Sequence, residues 1–175
     1  MVNLKERKIS YMKIAALGEI MLRLKSPGEE RLFQSPVLEA TFGGAEANSV
    51  ISLANYGMQT KMITALPDND ITLNILRTLR AFSVDTSDII LSDGRVGIYF
   101  VEKGAGQRPQ KIVYDRAYSS FSTVSPDLFD FSSMLSDCTW LHLSGVTPAL
   151  SETTAALTLK LGDSGSQVTE LQRKL

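Results

Sequence analysis

At 175 residues, with 43% hydrophobic and 21% charged side chains and a formal charge of −1, the chain has the make-up of one globular domain, or of one domain and a scrap of a second. That composition excludes a wholly disordered chain and a collagen-like repeat, and it lacks the clustered Lys and Arg of a nucleic-acid binder. A chain this long buries roughly two-thirds of its unfolded surface, enough for a core without disulfide staples.

Residues 1–12 read as a flexible tail, its Lys5, Arg7 and Lys8 interrupted by Glu6. The first apolar run, 14–17, is too short for a signal peptide, and no run approaches the roughly 18 residues that span a membrane. Cys138 is the single cysteine, so no intrachain disulfide forms; it reads as a small buried hydrophobe. The expected location is the cytoplasm, with neither membrane nor nucleic acid as partner.

Residues 13–17 read as a buried strand ending at Gly18. Ile20, Leu22 and Leu24 alternate as in a strand with one covered face, broken by Ser26-Pro27-Gly28. An extended stretch over 33–42 leads into Gly43-Gly44. Ala47, Val50, Ile51 and Ala54 then fall on one helical face, with Gly57 placed as the C-terminal cap. A second buried strand covers 61–66 and stops at Pro67; Ile71, Ile75, Leu76 and Leu79 predict a second amphipathic helix. A short strand at 89–91 and the turn Asp93-Gly94 precede a hairpin of 96–102 with 111–116. The Ser-rich stretch 117–138 holds a short helix within 128–135. A third buried strand is expected at 140–143, and Ser151 caps a helix beginning at Glu152. Buried strands alternating with helices predict an α/β parallel sheet. The half-polar extended segments, about 19–42 and 96–116, do not suit that sheet and read as a smaller sheet flapping over a site.

Two glycines at a strand-to-helix turn, Gly43 and Gly44, let backbone approach a ligand, and Asn48 one turn later could hydrogen-bond a hydroxyl; the alternative is a tight turn alone. Glu19 lies beyond the end of the first strand, where ligands bind in open α/β sheets; the alternative is an exposed loop acid. Tyr99, Tyr114 and Arg116 belong to the hairpin, the last two sharing a face, so a phenol and a guanidinium could clamp a sugar acid; the alternative is cross-strand packing. His142, the single histidine, has no ligand or triad partners at useful spacing, so no metal site is expected.

These segments together resemble the PfkB (ribokinase-like) sugar kinases, and most closely the 2-keto-3-deoxygluconate kinases. The resemblance rests on Ala16-Leu17-Gly18-Glu19, on 42–48 (Phe-Gly-Gly-Ala-Glu-Ala-Asn), on 64–69 (Thr-Ala-Leu-Pro-Asp-Asn) and on Val84-Asp85-Thr86. It continues through 96–100 (Val-Gly-Ile-Tyr-Phe), 111–117 (Lys-Ile-Val-Tyr-Asp-Arg-Ala) and 141–150 (Leu-His-Leu-Ser-Gly-Val-Thr-Pro-Ala-Leu). The set is collinear and covers about residues 14–158.

The resemblance implies a ribokinase-like parallel sheet flanked by helices, with a small β-sheet lid, present as the first half of the fold. It implies transfer of a phosphoryl group from ATP, with Mg2+, to a sugar-acid hydroxyl. It places Gly43, Gly44 and Asn48 against the sugar, Tyr99, Tyr114 and Arg116 on the lid with Arg116 near the substrate carboxylate, and Val146 on the pocket wall. It also implies pairing of two copies through their lids. Thr72 and Ser83 stand where the family usually has glycine, and Ser83 is expected to be strained at its helix end.

The family's catalytic base belongs to a Gly-Ala-Gly-Asp motif. The chain offers Gly104-Ala105-Gly106-Gln107 in the hairpin loop, and a neutral amide is no general base. No catalytic residue and no nucleotide-binding residue is therefore expected, and little or no kinase activity from the chain alone; the alternative is a catalytically inactive sugar-acid binder or a truncated or fused remnant. Residues 159–175 leave the kinase pattern. From Leu161 they resemble the opening of a peptidoglycan-binding repeat, too short to form that module.

Overall fold

The computed structural model describes residues 12–163. In chain order its elements are β1 (Lys13–Leu17), β2 (Met21–Lys25), β3 (Glu39–Gly43), α1 (Ala45–Asn55), β4 (Gln59–Leu66), α2 (Asp70–Ala81), β5 (Val84–Asp85) and β6 (Ile89–Leu91). There follow β7 (Ile98–Glu102), β8 (Lys111–Asp115), α3 (Ser120–Thr123), a 3-10 turn (Pro126–Leu128), α4 (Phe131–Met134), β9 (Trp140–His142), α5 (Val146–Ala149) and α6 (Glu152–Asp163).

Strand periodicity sorts the core into two halves. Ala15 and Leu17 of β1, with Ile63 and Ala65 of β4, enter one cluster with Phe121, Phe129, Phe131, Leu157 and Leu161. Ala16 of β1, with Met62 and Leu66 of β4, enters the other with Val50 of α1 and Ile75 and Leu79 of α2. Both faces of these strands are covered, which is why they read as unbroken apolar runs. The sheet runs β5-β4-β1-β9 with β6 also paired to β4, and all pairings are parallel. A second sheet, β3-β2-β7-β8, joins the two half-polar segments. The β7–β8 hairpin is antiparallel, whereas β2 and β7 run parallel. This is the α/β sheet with a lid that the sequence predicts.

Strand β9 departs from expectation. Among the described residues it pairs on one side only, with β1; Trp140 is 57% exposed, and Leu141 and His142 are half-buried rather than core. Cys138 is likewise half-buried. Residues 159–163 continue helix α6 without a break, and Leu161 packs in the core. The remainder of the proposed tail, 164–175, and most of the N-terminal tail, 1–11, lie outside the described residues.

The helix ends follow the sequence signals. Met58 and Gly57 donate back to Leu53 and Ala54, and Gly57 has φ +81°, which closes α1 in a Schellman motif. Asn69 Oδ1 accepts from the N–H groups of Ile71 and Thr72 at the start of α2. Thr72 is buried and donates its hydroxyl to the Pro67 carbonyl, so it fills the space a glycine would leave. Ser83 takes the post-helical position of α2 at φ +61°, donating its N–H to Arg80. An L-residue there costs about 1–2 kcal/mol, partly offset by the freedom glycine gains when unfolded. Ser83→Gly is therefore expected to raise the unfolding free energy by about 0.5–1 kcal/mol, read from urea denaturation.

At the amino ends of the strands, charges saturate one another. Lys13 Nζ lies 2.7 Å from Asp85 and 2.5 Å from Asp137; Lys61 Nζ lies 2.9 Å from Asp137 and 2.7 Å from Asp88. The hydrogen bonds from Lys13 and Lys61 hold the Asp137 carboxyl well below the usual carboxylate range. Burial works against ionisation of Asp85, but Lys13 and the Ser87 N–H outweigh it and lower its pKa. Both groups are more acidic folded than unfolded. Their stabilisation is full above the unfolded carboxylate pKa of about 3.9 and is lost as pH falls through the lower folded values. In urea titrations between pH 5 and pH 2, Asp137→Asn is expected to lower stability at pH 5 and to flatten the acid decline seen with the unaltered chain.

Candidate functional site

Strand β1 lies between β4 and β9, so the connections leave it in opposite directions, and the crevice beyond its carboxyl end is the place where such sheets bind ligands. Three segments meet there: Gly18-Glu19 after β1, the start of α1, and Ser144 to Thr147 after β9. Glu46 ties the last two together, its buried carboxylate accepting from the Ser144 N–H and the Thr147 hydroxyl, both at 3.1 Å. An acid in the first turn of α1 also suits the helix dipole.

Gly44 has φ −178°, a conformation open to any residue. Its requirement is space, because a Cβ would collide with the Glu19 carbonyl oxygen. Gly43 is tight for another reason: a Cβ there would lie 2.6 Å from the Tyr99 hydroxyl and 3.8 Å from Asn48 Oδ1. Gly43, Tyr99 and Asn48 thus converge, as the sequence suggests.

The lid sets the opposite wall. Tyr99 and Tyr114 are register partners across β7 and β8, with ring centroids 6.0 Å apart and planes at 29°. The Arg116 guanidinium carbon lies 5.5 Å from the Tyr114 ring centroid, so these two do share a face. Burial raises the Tyr99 phenol pKa, opposed by the nearby Arg23 charge and reinforced by Tyr114. Between lid and α1 opens a cleft of about 330 Å³, whose walls include Arg23, Gly44, Asn48, Tyr99, Gln110 and Tyr114.

Glu19 is not the exposed loop acid of the alternative reading. It is buried, and its Oε2 accepts from Arg116 Nε at 2.8 Å and from Arg116 Nη2. Gly97 makes room for it, since a Cβ there would lie 2.5 Å from Glu19 Oε1. Glu19 and Arg116 therefore stand beside the cleft, behind the tyrosines, rather than on its lining. Val146 opens α5, is exposed, and stands apart from the cleft wall. His142 lies on β9, in register with Ala16. Among the described residues, no three His, Cys, Asp or Glu side chains are grouped to hold a metal ion.

Sequence reading missed Arg23, Gln110 and Glu46. The signal for Arg23 was present: it occupies the strand phase opposite Leu22 and Leu24, and that phase faces the cleft. Glu46 carries no such mark, because its partners lie about 100 residues away.

The sequence model described as pfkB family carbohydrate kinase matches residues 12–173. The crystal structure of a 2-dehydro-3-deoxygluconokinase from Thermotoga maritima superposes with a TM-score of 0.84 at 42% identity, covering 92% of this chain and 48% of that one. A PfkB family carbohydrate kinase from Listeria grayi gives a TM-score of 0.81 at 32% identity, covering 85% and 47%. A 2-dehydro-3-deoxygalactonokinase from Haloferax volcanii is 33% identical over 141 residues, 81% of this chain and 44% of its own length. The chain thus spans about half the length of the proteins it matches.

The two glycines are expected to respond differently to substitution. Gly44→Ala meets backbone and is expected to destabilise the chain by about 1–3 kcal/mol. Gly43→Ala meets the end of the Tyr99 side chain, which can move, so its melting temperature stays closer to the unaltered value while ligand affinity falls. Thermal unfolding of both variants checks the contrast.

Proposed function

The chain belongs to the pfkB family of carbohydrate kinases, and from that premise we propose that it carries the substrate-binding and lid half of a kinase acting on 2-keto-3-deoxygluconate or a closely similar sugar acid. The observation that carries this reading is the convergence of Gly43, Gly44 and Asn48 with the stacked Tyr99 and Tyr114 around one cleft. Aromatic faces suit the C–H surface of a sugar, and phenols and an amide suit its hydroxyls. Arg116, stacked on Tyr114 and paired with Glu19, borders the same site. The names of the Thermotoga and Haloferax relatives support a 2-keto-3-deoxy sugar acid as the substrate class.

In this reading ATP is the phosphoryl donor and Mg2+ its companion ion. The described residues do not fit either group. No metal-binding set is gathered among them. The Gly104-Ala105-Gly106-Gln107 turn is closed by mutual backbone hydrogen bonds of Ala105 and Arg108 within the lid, and it presents no carboxylate to act as base. We assign those functions to the part of the relatives' length that this chain does not span. What this chain's own residues do is bind and orient the sugar and cover it from water.

Calorimetric titration of the 175-residue chain with 2-keto-3-deoxygluconate is expected to give saturable binding, and an ATP-coupled assay on the same sample no turnover. Asn48→Ala is expected to weaken binding about three- to tenfold, the worth of one hydrogen bond. Absence of heat at millimolar sugar acid overturns the binding reading, and robust phosphorylation overturns the assignment of chemistry elsewhere.

A further inference from the structure

The tip of the lid carries a polar latch to which the family reading assigns no part. Residues 26–38 join β2 to β3 without helix or strand, and Ser26 alone among them is buried. Little of this loop is packed away from water, although the Phe33 ring lies 5.8 Å from that of Phe100. Two side chains of the β7–β8 hairpin fasten it. Glu102, the last residue of β7, is buried, and its Oε2 accepts from the Leu32 N–H at 3.1 Å. Arg108 donates from Nη2 to the Glu29 carbonyl and, at 3.4 Å, to the Lys103 carbonyl, and its Nε lies 3.5 Å from Glu102 Oε1. One guanidinium thus joins loop 26–38, the end of β7 and the hairpin turn, which suits a rigid fork of five donors.

Arg108 also stands next to the cleft along the chain. Its backbone exchanges hydrogen bonds with Ala105, at 3.1 and 2.9 Å, and these close the turn. Pro109 follows, with its φ fixed by the ring, and Gln110 and Ile112 then enter the lining of the cleft. Strand β8 is exposed along its length, so its ladder to β7 and the tip set the height of its first residues. The Gln110 amide offers two donors and an acceptor, which suits a sugar hydroxyl.

We infer that Arg108 is a positioning residue for ligand binding: by latching the hairpin tip to loop 26–38 it holds Gln110 over the cleft, where the amide meets a ligand hydroxyl. Arg108 touches no ligand itself and acts through Gln110. The inference rests on the proposed function, because it takes the ligand to be a sugar acid bound in this cleft.

The test is a double-mutant cycle on the full chain, read by calorimetric titration with 2-keto-3-deoxygluconate, using Arg108→Ala, Gln110→Ala and the double variant. Each single change is expected to weaken binding about three- to tenfold, the worth of one hydrogen bond, and the double variant to bind as Gln110→Ala alone does. That equality separates positioning from a general loosening of the fold, which costs affinity in both backgrounds. The Gln110 side-chain amide resonances of the unaltered chain are expected to shift on saturation with the sugar acid. Unchanged affinity in either single variant, additive losses in the double variant, or unshifted Gln110 resonances each overturn the inference and leave the proposed function standing. If circular dichroism shows that Arg108→Ala does not fold, Arg108→Lys takes its place in the cycle with the same outcomes, since it keeps the charge beside Glu102 and lacks the fork. An unaltered chain that binds no 2-keto-3-deoxygluconate overturns the proposed function, and the inference with it.

Discussion

The arrangement of lid over sheet depends on one buried ion pair. Glu19 lies just beyond β1, Arg116 follows β8, and the two are 97 positions apart. A carboxylate withdrawn from water is costly unless paired and hydrogen-bonded. Moving the lid away from the sheet would strand Glu19, so the pair fixes the height of β7 and β8 above the start of α1. Two glycines serve the same constraint. Gly97 leaves room for the Glu19 side chain, and Gly44 leaves room for its carbonyl. Helix α1 and the lid are thereby both brought against one residue, and Asn48 and Tyr99 come within reach of each other around Gly43.

The two ends of the parallel sheet are polar in opposite ways. At the amino ends, Lys13 and Lys61 are saturated by Asp85, Asp88 and Asp137. Cys138 lies within that network, and burial together with Asp137 pushes its thiol up to about 11, so it carries little thiolate at neutral pH. The carboxyl-end side of the molecule leaves donors and acceptors unspent: Glu19 Oε1 and Arg23 Nε are buried without a partner among the described residues. Saturated charge stabilises a fold, and buried polarity left unpaired beside a cleft is available to a ligand.

Most of the fold was legible because its signals are local. The apolar run at 13–17, helical spacing from Ala47 to Ala54, Gly57 as a cap, and the Asp93-Gly94 turn each depend on a few neighbouring residues. Ser83 was legible as a misfit, and its positive φ agrees. Long-range partners were not legible. The apolar pattern of Trp140 and its neighbours suggested a buried strand; among the described residues β9 pairs on one side only, which leaves it half-covered. Glu19 was read as a ligand-facing acid, with an exposed loop acid as the alternative, and its ion pair was not legible because Arg116 lies across the lid. Arg23 lies on the phase of β2 opposite Leu22 and Leu24, and the cleft-facing phase of a lid strand is the less apolar one, so it carries no packing signal.

Among the described residues, the cleft is formed by β2, β7, β8 and the start of α1. Both neighbours of β1 in the sheet are in place, as are both segments bordering the crevice beyond it, and the lining runs no further along the chain than Tyr114. Its geometry thus follows from contacts within the described residues: Glu19 with Arg116, Glu46 with Ser144 and Thr147, Tyr99 with Tyr114. Phosphoryl transfer makes a different demand, namely a base and groups that stabilise developing charge on the transferring phosphoryl. Under the proposed function, recognition rests on the contacts described here, and those further groups are assigned to the part of the relatives' length that this chain does not span.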